Sequence, residues 1–363
     1  MNQGTWRQFV TLPNILEQFN PRLVGAAQAS TRVGAGETDG YNFAVSGATS
    51  LQLPAQAWRL VRAMKADPRI DFQRDWKMVT IIIGHNDACT HICNATMGVE
   101  AWEDGSPTGY AANLRRTLDI MQANLPRTFV NLVPMADVSL VLDLLDKPKL
   151  CHLLHWYFCP CLFDRQFTDA TLTKRQMKSV LQLYKHQLTR SPHPPTLPRL
   201  LASGRYDSTT DFTVVLQPSL INGEVPSKYS ELFKRQVYVV WVSWPRWLPD
   251  LSYLAPDCFH FSQKLHALGG SRAQPSPSPV GRSLWNNLLQ PVGRKATDWR
   301  KDVPFLCPSK TSPYLATRLN SAHQVAAGPS RAPCPQRRTR TSSLARDWWS
   351  LLTSGAATDT CLL

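Results

Sequence analysis

No stretch of the 363-residue sequence reaches the roughly 18 consecutive apolar residues that a membrane-spanning helix requires. Met1-Asn2-Gln3-Gly4 opens no signal peptide, and the C-terminus carries no apolar tail for a lipid or transmembrane anchor. Acidic residues are few, 26 Asp and Glu against 40 Lys and Arg, for a formal net charge of +14. That excess raises the question of nucleic acid. The sequence has no helix-turn-helix pattern, no zinc-ligand spacing and no basic residues interleaved with aromatics on a predicted sheet. Much of the excess lies beyond residue 263, in segments such as Arg337-Arg338-Thr339-Arg340. The expectation is a solvated basic tail over 321–363 and no nucleic-acid partner, with weak attraction to anionic lipid headgroups.

What is present fits a folded chain. Apolar residues make up 43% and charged residues 18%. The 28 prolines thicken at 191–198, 274–279 and 329–335, where they mark loops and the tail. Nine cysteines include Cys89 and Cys93, the close pair Cys159 and Cys161, and Cys258 and Cys307. Neither close pair has a second pair at zinc-site spacing, so disulfides in an oxidising compartment are expected and no metal or other cofactor is. The sequon Asn94-Ala95-Thr96 beside Cys93 agrees with that compartment and makes Asn94 a glycosylation candidate. An interior of secreted type without an export signal suggests a fragment.

Apolar periodicity predicts helices over 12–19, 53–65, 109–124, 140–145 and 171–188, and strands over 41–45, 78–83, 128–134 and 212–217. Strands alternating with helices at these distances imply a mostly parallel sheet covered on both faces. Two segments break the pattern. The run 237–247 is rich in Val and Trp, and 268–279 is rich in Gly, Ser and Pro and interrupts a helix leading to Leu284-Trp285-Asn286-Asn287.

The chemistry-bearing residues sit at the predicted strand ends. Gly84-His85-Asn86-Asp87 follows the run Met78-Val79-Thr80-Ile81-Ile82-Ile83, so an Asn side chain projects where ligands bind in open α/β sheets. Asp257-Cys258-Phe259-His260 follows Pro256 far downstream. His260 is a candidate general base and Asp257, three residues earlier, can accept from one ring nitrogen and fix its tautomer. The Asn86 amide and the Gly47 backbone N–H are candidate oxyanion donors. Taken singly, each has a plainer explanation. Asn and Asp favour turns, Asp-x-x-His occurs by chance, and 42–47 alone reads as a strand ending at a tight turn.

Taken in order, the clusters resemble the GDSL (SGNH) hydrolases. Asn42-Phe43-Ala44-Val45-Ser46-Gly47 matches the second motif block of that family, residues 84–87 the third and residues 257–260 the fifth. The resemblance implies an α/β fold: a three-layer α/β/α domain with a mostly parallel sheet over 1–320, with irregular inserts near 236–249 and 268–282 and the tail over 321–363. It implies a serine-type carboxylic ester hydrolase that removes acyl chains from phospholipids, lysophospholipids and other acyl esters at a membrane surface, on the extracellular face of the apical plasma membrane. Asp257 and His260 would be catalytic, Gly47 and Asn86 would form the oxyanion hole, and no metal is implied. The family's first block, Gly-Asp-Ser with its preceding strand, does not occur in the 363 residues. The expectation is therefore a sheet without its first strand and a chain of little activity. The alternative is a catalytically dead product that binds lipid or a partner.

Overall fold

Strand β1, Lys77–Ile82, forms where β-branched residues follow a turn, and its alternate side chains Val79 and Ile81 are buried. It pairs in parallel with β2, Thr128–Val133, which pairs in parallel with β3, Phe212–Leu216. The order is β1-β2-β3, with Lys77 opposite Thr128 and Thr128 opposite Phe212. Every residue of β2 is buried, as a central parallel strand requires. The computed structural model describes residues 11–27, 40–91, 109–136, 148–163, 200–222, 251–262, 270–271, 274–275, 279–298, 304–309 and 312–321. The predicted helices over 140–145 and 171–188, the run 237–247, the sequon at Asn94, the insert over 236–249 and the tail beyond 321 lie outside these residues.

The pleat of the sheet separates two cores. Val79, Ile81, Val130, Leu132, Val214 and Leu216 point toward helices α2, Leu53–Ala66, and α4, Tyr110–Asn124. Those helices return Ala57, Leu60, Val61, Leu114, Leu118 and Met121 to the same cluster. On the other face Phe129 and Val215 meet helix α1, Leu12–Phe19, and helix α7, Pro279–Leu289, through Ile15, Leu16, Trp285, Leu288 and Leu289. The result is three layers, α/β/α. Helix α1 begins at Thr11, whose side chain accepts from the Asn14 N–H at 3.3 Å, with Pro13 in its first turn.

Between β1 and α4 lies the short helix α3, His85–His91, and beyond β2 lie α5, Lys149–Phe158, and α6, Pro160–Phe163. Residues 270–271 (β4) and 274–275 (β5) form a small antiparallel pair. Disulfides join Cys89 to Cys159 and Cys151 to Cys258, and Cys161 and Cys307 are also disulfide-bonded. Cys89 lies inside α3 rather than in a loop, and its partner is distant in sequence.

Two sequence expectations are corrected. Residues 41–45 are not a strand. The Asn42 side chain accepts from the Ala44 N–H at 3.1 Å in a local turn, and Tyr41 is committed to Gly25 through its N–H at 2.9 Å and to Asp67 through its hydroxyl at 2.6 Å. The segment 268–282 is not irregular throughout, because α7 starts at Pro279 and already buries Arg282. Pro at the first helical position costs no backbone hydrogen bond, so the proline that looked like an interruption is where the helix begins.

Candidate active site

The end of β1 is shaped by Gly84. Its φ of +119° turns the chain from strand into α3, and a Cβ there would lie 3.1 Å from the Met135 Sδ and 3.2 Å from the Tyr110 ring. With no side chain at 84, β1 and the end of β2 close up, and His85 and Asn86 are placed in the first turn of α3. Asn86 donates through Nδ2 to the Ala48 carbonyl at 2.9 Å, which ties the third motif block to the second. An amide nitrogen carries two N–H groups, so this bond leaves one for a ligand. Gly47, next to Ala48, has φ +78°, and its open side meets no atom within 4 Å.

Asp87 fastens the same two blocks from beneath. Its carboxylate accepts from the Ser50 N–H at 2.9 Å and from the Ser50 hydroxyl at 2.6 Å, and Asn113 donates to that hydroxyl at 3.2 Å. All three side chains are buried. The hydroxyl of Ser50 is therefore engaged in structure, while Ser46 is exposed on the turn.

Asp257 and His260 form a local unit. Asp257 Oδ1 accepts from the backbone N–H groups of Phe259 and His260 at 3.0 Å each, and Oδ2 lies 2.6 Å from His260 Nδ1. Cys258 takes a left-handed φ of 54° between them, which folds the turn back onto the carboxylate. Burial pushes the Asp257 carboxyl up, but hydrogen bonds from the His260 ring and from the two backbone N–H groups outweigh it and hold the group below the usual carboxylate range. An ionised Asp257 accepts from Nδ1–H, which leaves the Nε2 lone pair of His260 as the basic site. The His260 side chain is 68% exposed, so that nitrogen is accessible.

The residue that sequence reasoning passed over is His85. Its Nε2 accepts from the Ala136 N–H at 3.1 Å, which pins the chain leaving β2 against the start of α3. Burial, with a smaller contribution from the charge of His260, pushes its imidazole down to about 4. The disulfides Cys151–Cys258 and Cys89–Cys159 link the Asp257–His260 turn, through α5, to the helix that begins with His85 and Asn86. A lone His between Gly and Asn gave no spacing signal for that part. Among the described residues no group of His, Cys, Asp and Glu is arranged to hold a metal, and no helix is long and apolar enough to cross a membrane.

The chain is similar to "Phospholipase B1, membrane-associated" of Rattus norvegicus, 36% identical over 319 residues, covering 86% of this chain and 19% of that protein. It is likewise similar to the protein of the same name from Homo sapiens, 38% identical over 322 residues, covering 86% and 18%. The chain thus spans about a fifth of the length of these curated relatives. No solved structure matches. Residues 2–272 match the family model described as GDSL-like Lipase/Acylhydrolase. With that match and a parallel sheet between helical layers, the chain belongs to the GDSL-like lipase/acylhydrolase family.

Proposed function

We propose that this chain carries the base and oxyanion side of a phospholipid acyl-ester hydrolase, acting on phospholipids and lysophospholipids at an extracellular membrane surface. The observation that carries the reading is the Asp257–His260 pair at 2.6 Å, its turn tied by the Cys151–Cys258 and Cys89–Cys159 disulfides and α5 to the helix that begins with His85 and Asn86. In the proposed reaction Nε2 of His260 takes a proton from an attacking hydroxyl and returns it to the leaving alcohol, while Asp257 holds the imidazole in the tautomer that allows this. The spare Asn86 amide N–H and the Gly47 backbone N–H stabilise the tetrahedral oxyanion. The loss of one such donor costs about two to three orders of magnitude in rate. Asn94 is the proposed glycosylation site and the apical cell surface the proposed location.

Acylation needs a nucleophilic hydroxyl, and Gly-Asp-Ser does not occur in the sequence. On its own the chain is therefore proposed to bind lipid esters with only residual turnover, the behaviour of a serine hydrolase lacking one triad member. A second reading, a lipid- or partner-binding product without catalysis, rests on that same absence. One experiment separates them. The chain, and a form extended at its N-terminus by a strand and Gly-Asp-Ser, are assayed on lysophosphatidylcholine and labelled with a fluorophosphonate. Expected are labelling and hydrolysis in the extended form alone, both lost with His260→Ala. An inert extended form sinks the hydrolase reading, and strong labelling of the unextended chain sinks the assignment of the missing nucleophile.

A further inference from the structure

Helix α5 is built inside out. Its buried positions are Cys151 and His155, while Leu150, Leu153, Trp156, Tyr157 and Phe158 are all between 50% and 72% exposed. At about 100° per residue, Leu150, Leu153 and Tyr157 form a crest opposite the Cys151 and His155 side. A surface helix of a soluble domain places charged and polar groups on that crest. Lys149, His152, His155 and Tyr157 are the only ionisable side chains of α5, and none is a carboxylate.

The helix is also bolted to both halves of the site. The Cys151–Cys258 disulfide joins it to the residue between Asp257 and Phe259, and the ring of His155 lies 6.0 Å from that of Phe259. Cys159, at the end of α5, is joined to Cys89 in α3, the helix that begins with His85 and Asn86. Five large exposed apolar side chains are thus held next to the candidate base and oxyanion donor by covalent bonds.

We propose that the outward crest of α5 seats the protein on the surface of phospholipid aggregates. The inference rests on the lipid-ester reading above and assigns that reading its binding element. The chemistry of the crest selects a lipid surface. Leu150 and Leu153 suit the acyl boundary, and Tyr157 with Trp156 on the flank of the crest carry the amphipathic rings that settle at headgroup depth. Lys149 at the start of α5 and the lack of any acid along it complement an anionic headgroup layer.

The test uses the full chain and vesicles of ether-linked phosphatidylcholine, with and without ether-linked phosphatidylserine, which no esterase can cleave at the acyl position. Expected is co-flotation, stronger with phosphatidylserine. The double variant Leu153→Asp, Tyr157→Asp should lower the bound fraction by about tenfold or more, with its circular dichroism melt unchanged. A reading without added charge comes from brominated phosphatidylcholine, which should quench the tryptophan fluorescence of the unmodified chain, and less so in Trp156→Phe. Equal flotation of the double variant, or identical quenching with Trp156→Phe, overturns the proposal. So does a concentration-dependent dimer abolished by Leu153→Asp in a chain that does not float, since the crest then belongs to a second copy. Flotation without ester cleavage by the extended form upholds the crest and sinks the hydrolase reading. Cleavage of a soluble short-chain ester without flotation does the reverse.

Discussion

The buried carboxylate of Asp87 has more to do with shape than with chemistry. It accepts both the N–H and the hydroxyl of Ser50, and so holds the turn carrying Gly47 against the helix carrying Asn86. Asp87→Ala leaves those donors buried and unmet, and should cost about 3 kcal/mol in urea unfolding, with Asp87→Asn costing less. His85 has the opposite character, a base kept neutral by its surroundings. Its value falls from 6.5 to about 4, so between those limits the unfolded chain binds a proton that the folded chain refuses. The stability it supplies is therefore complete above pH 6.5 and declines as pH falls toward 4, by up to about 3 kcal/mol. Melting temperature measured across that window should fall on acidification, and His85→Gln, which keeps an acceptor for the Ala136 N–H, should flatten the slope. Asp257 and His260 were legible in the sequence because three-residue spacing suffices to join them in one turn. His85 was not, because its partners come from β2 and from the distant 257–260 turn.

At the scale of elements, legibility followed packing. The runs at 78–83, 128–134 and 212–217 became β1, β2 and β3: β2, paired on both edges, is buried along its whole length, while β1 buries alternate residues. Helices α1, α2 and α4 were visible because each buries one regular stripe. Helix α5 was invisible to the same rule, since its buried side is a Cys and a His and its apolar residues face out. Two disulfides and the buried ring of His155, set against Phe163 and Phe259, give it its place. The Cys151–Cys258 bridge closes a separation of 107 residues, for which the chain-entropy model gives about 4 to 5 kcal/mol. Replacing both cysteines by Ser should lower the melting temperature. Amide exchange should speed up first in 149–158 and around 257–260, with β1, β2 and β3 still protected. Uniform loss of protection throughout the sheet would show that the bridge supports the whole fold rather than this helix.

At the scale of the whole molecule, β2 couples two cores that share no helix. Phe129 belongs to the cluster of α1 and α7, while Val130 and Leu132 belong to the cluster of α2 and α4. Helix α1 near the start of the chain packs on α7 after residue 278, and this contact supports the proposal that 1–320 form one unit. That contact was not legible in the sequence, because periodicity does not reveal which distant helix a segment will join. Trp285 is the natural probe. It is 2% exposed, its Nε1 donates to the Leu306 carbonyl at 2.8 Å, and its ring stacks 5.4 Å from Phe19. Trp285→Ala removes that packing and orphans a carbonyl, at an expected cost of about 3 to 5 kcal/mol. If the two faces fold as one unit, the loss appears in a single cooperative transition, with backbone circular dichroism and aromatic fluorescence shifting together. Two separated transitions, with the α2 and α4 face melting at its original midpoint, would mean that the covalent continuity of β2 does not make the layers interdependent, and the single-unit proposal would fall.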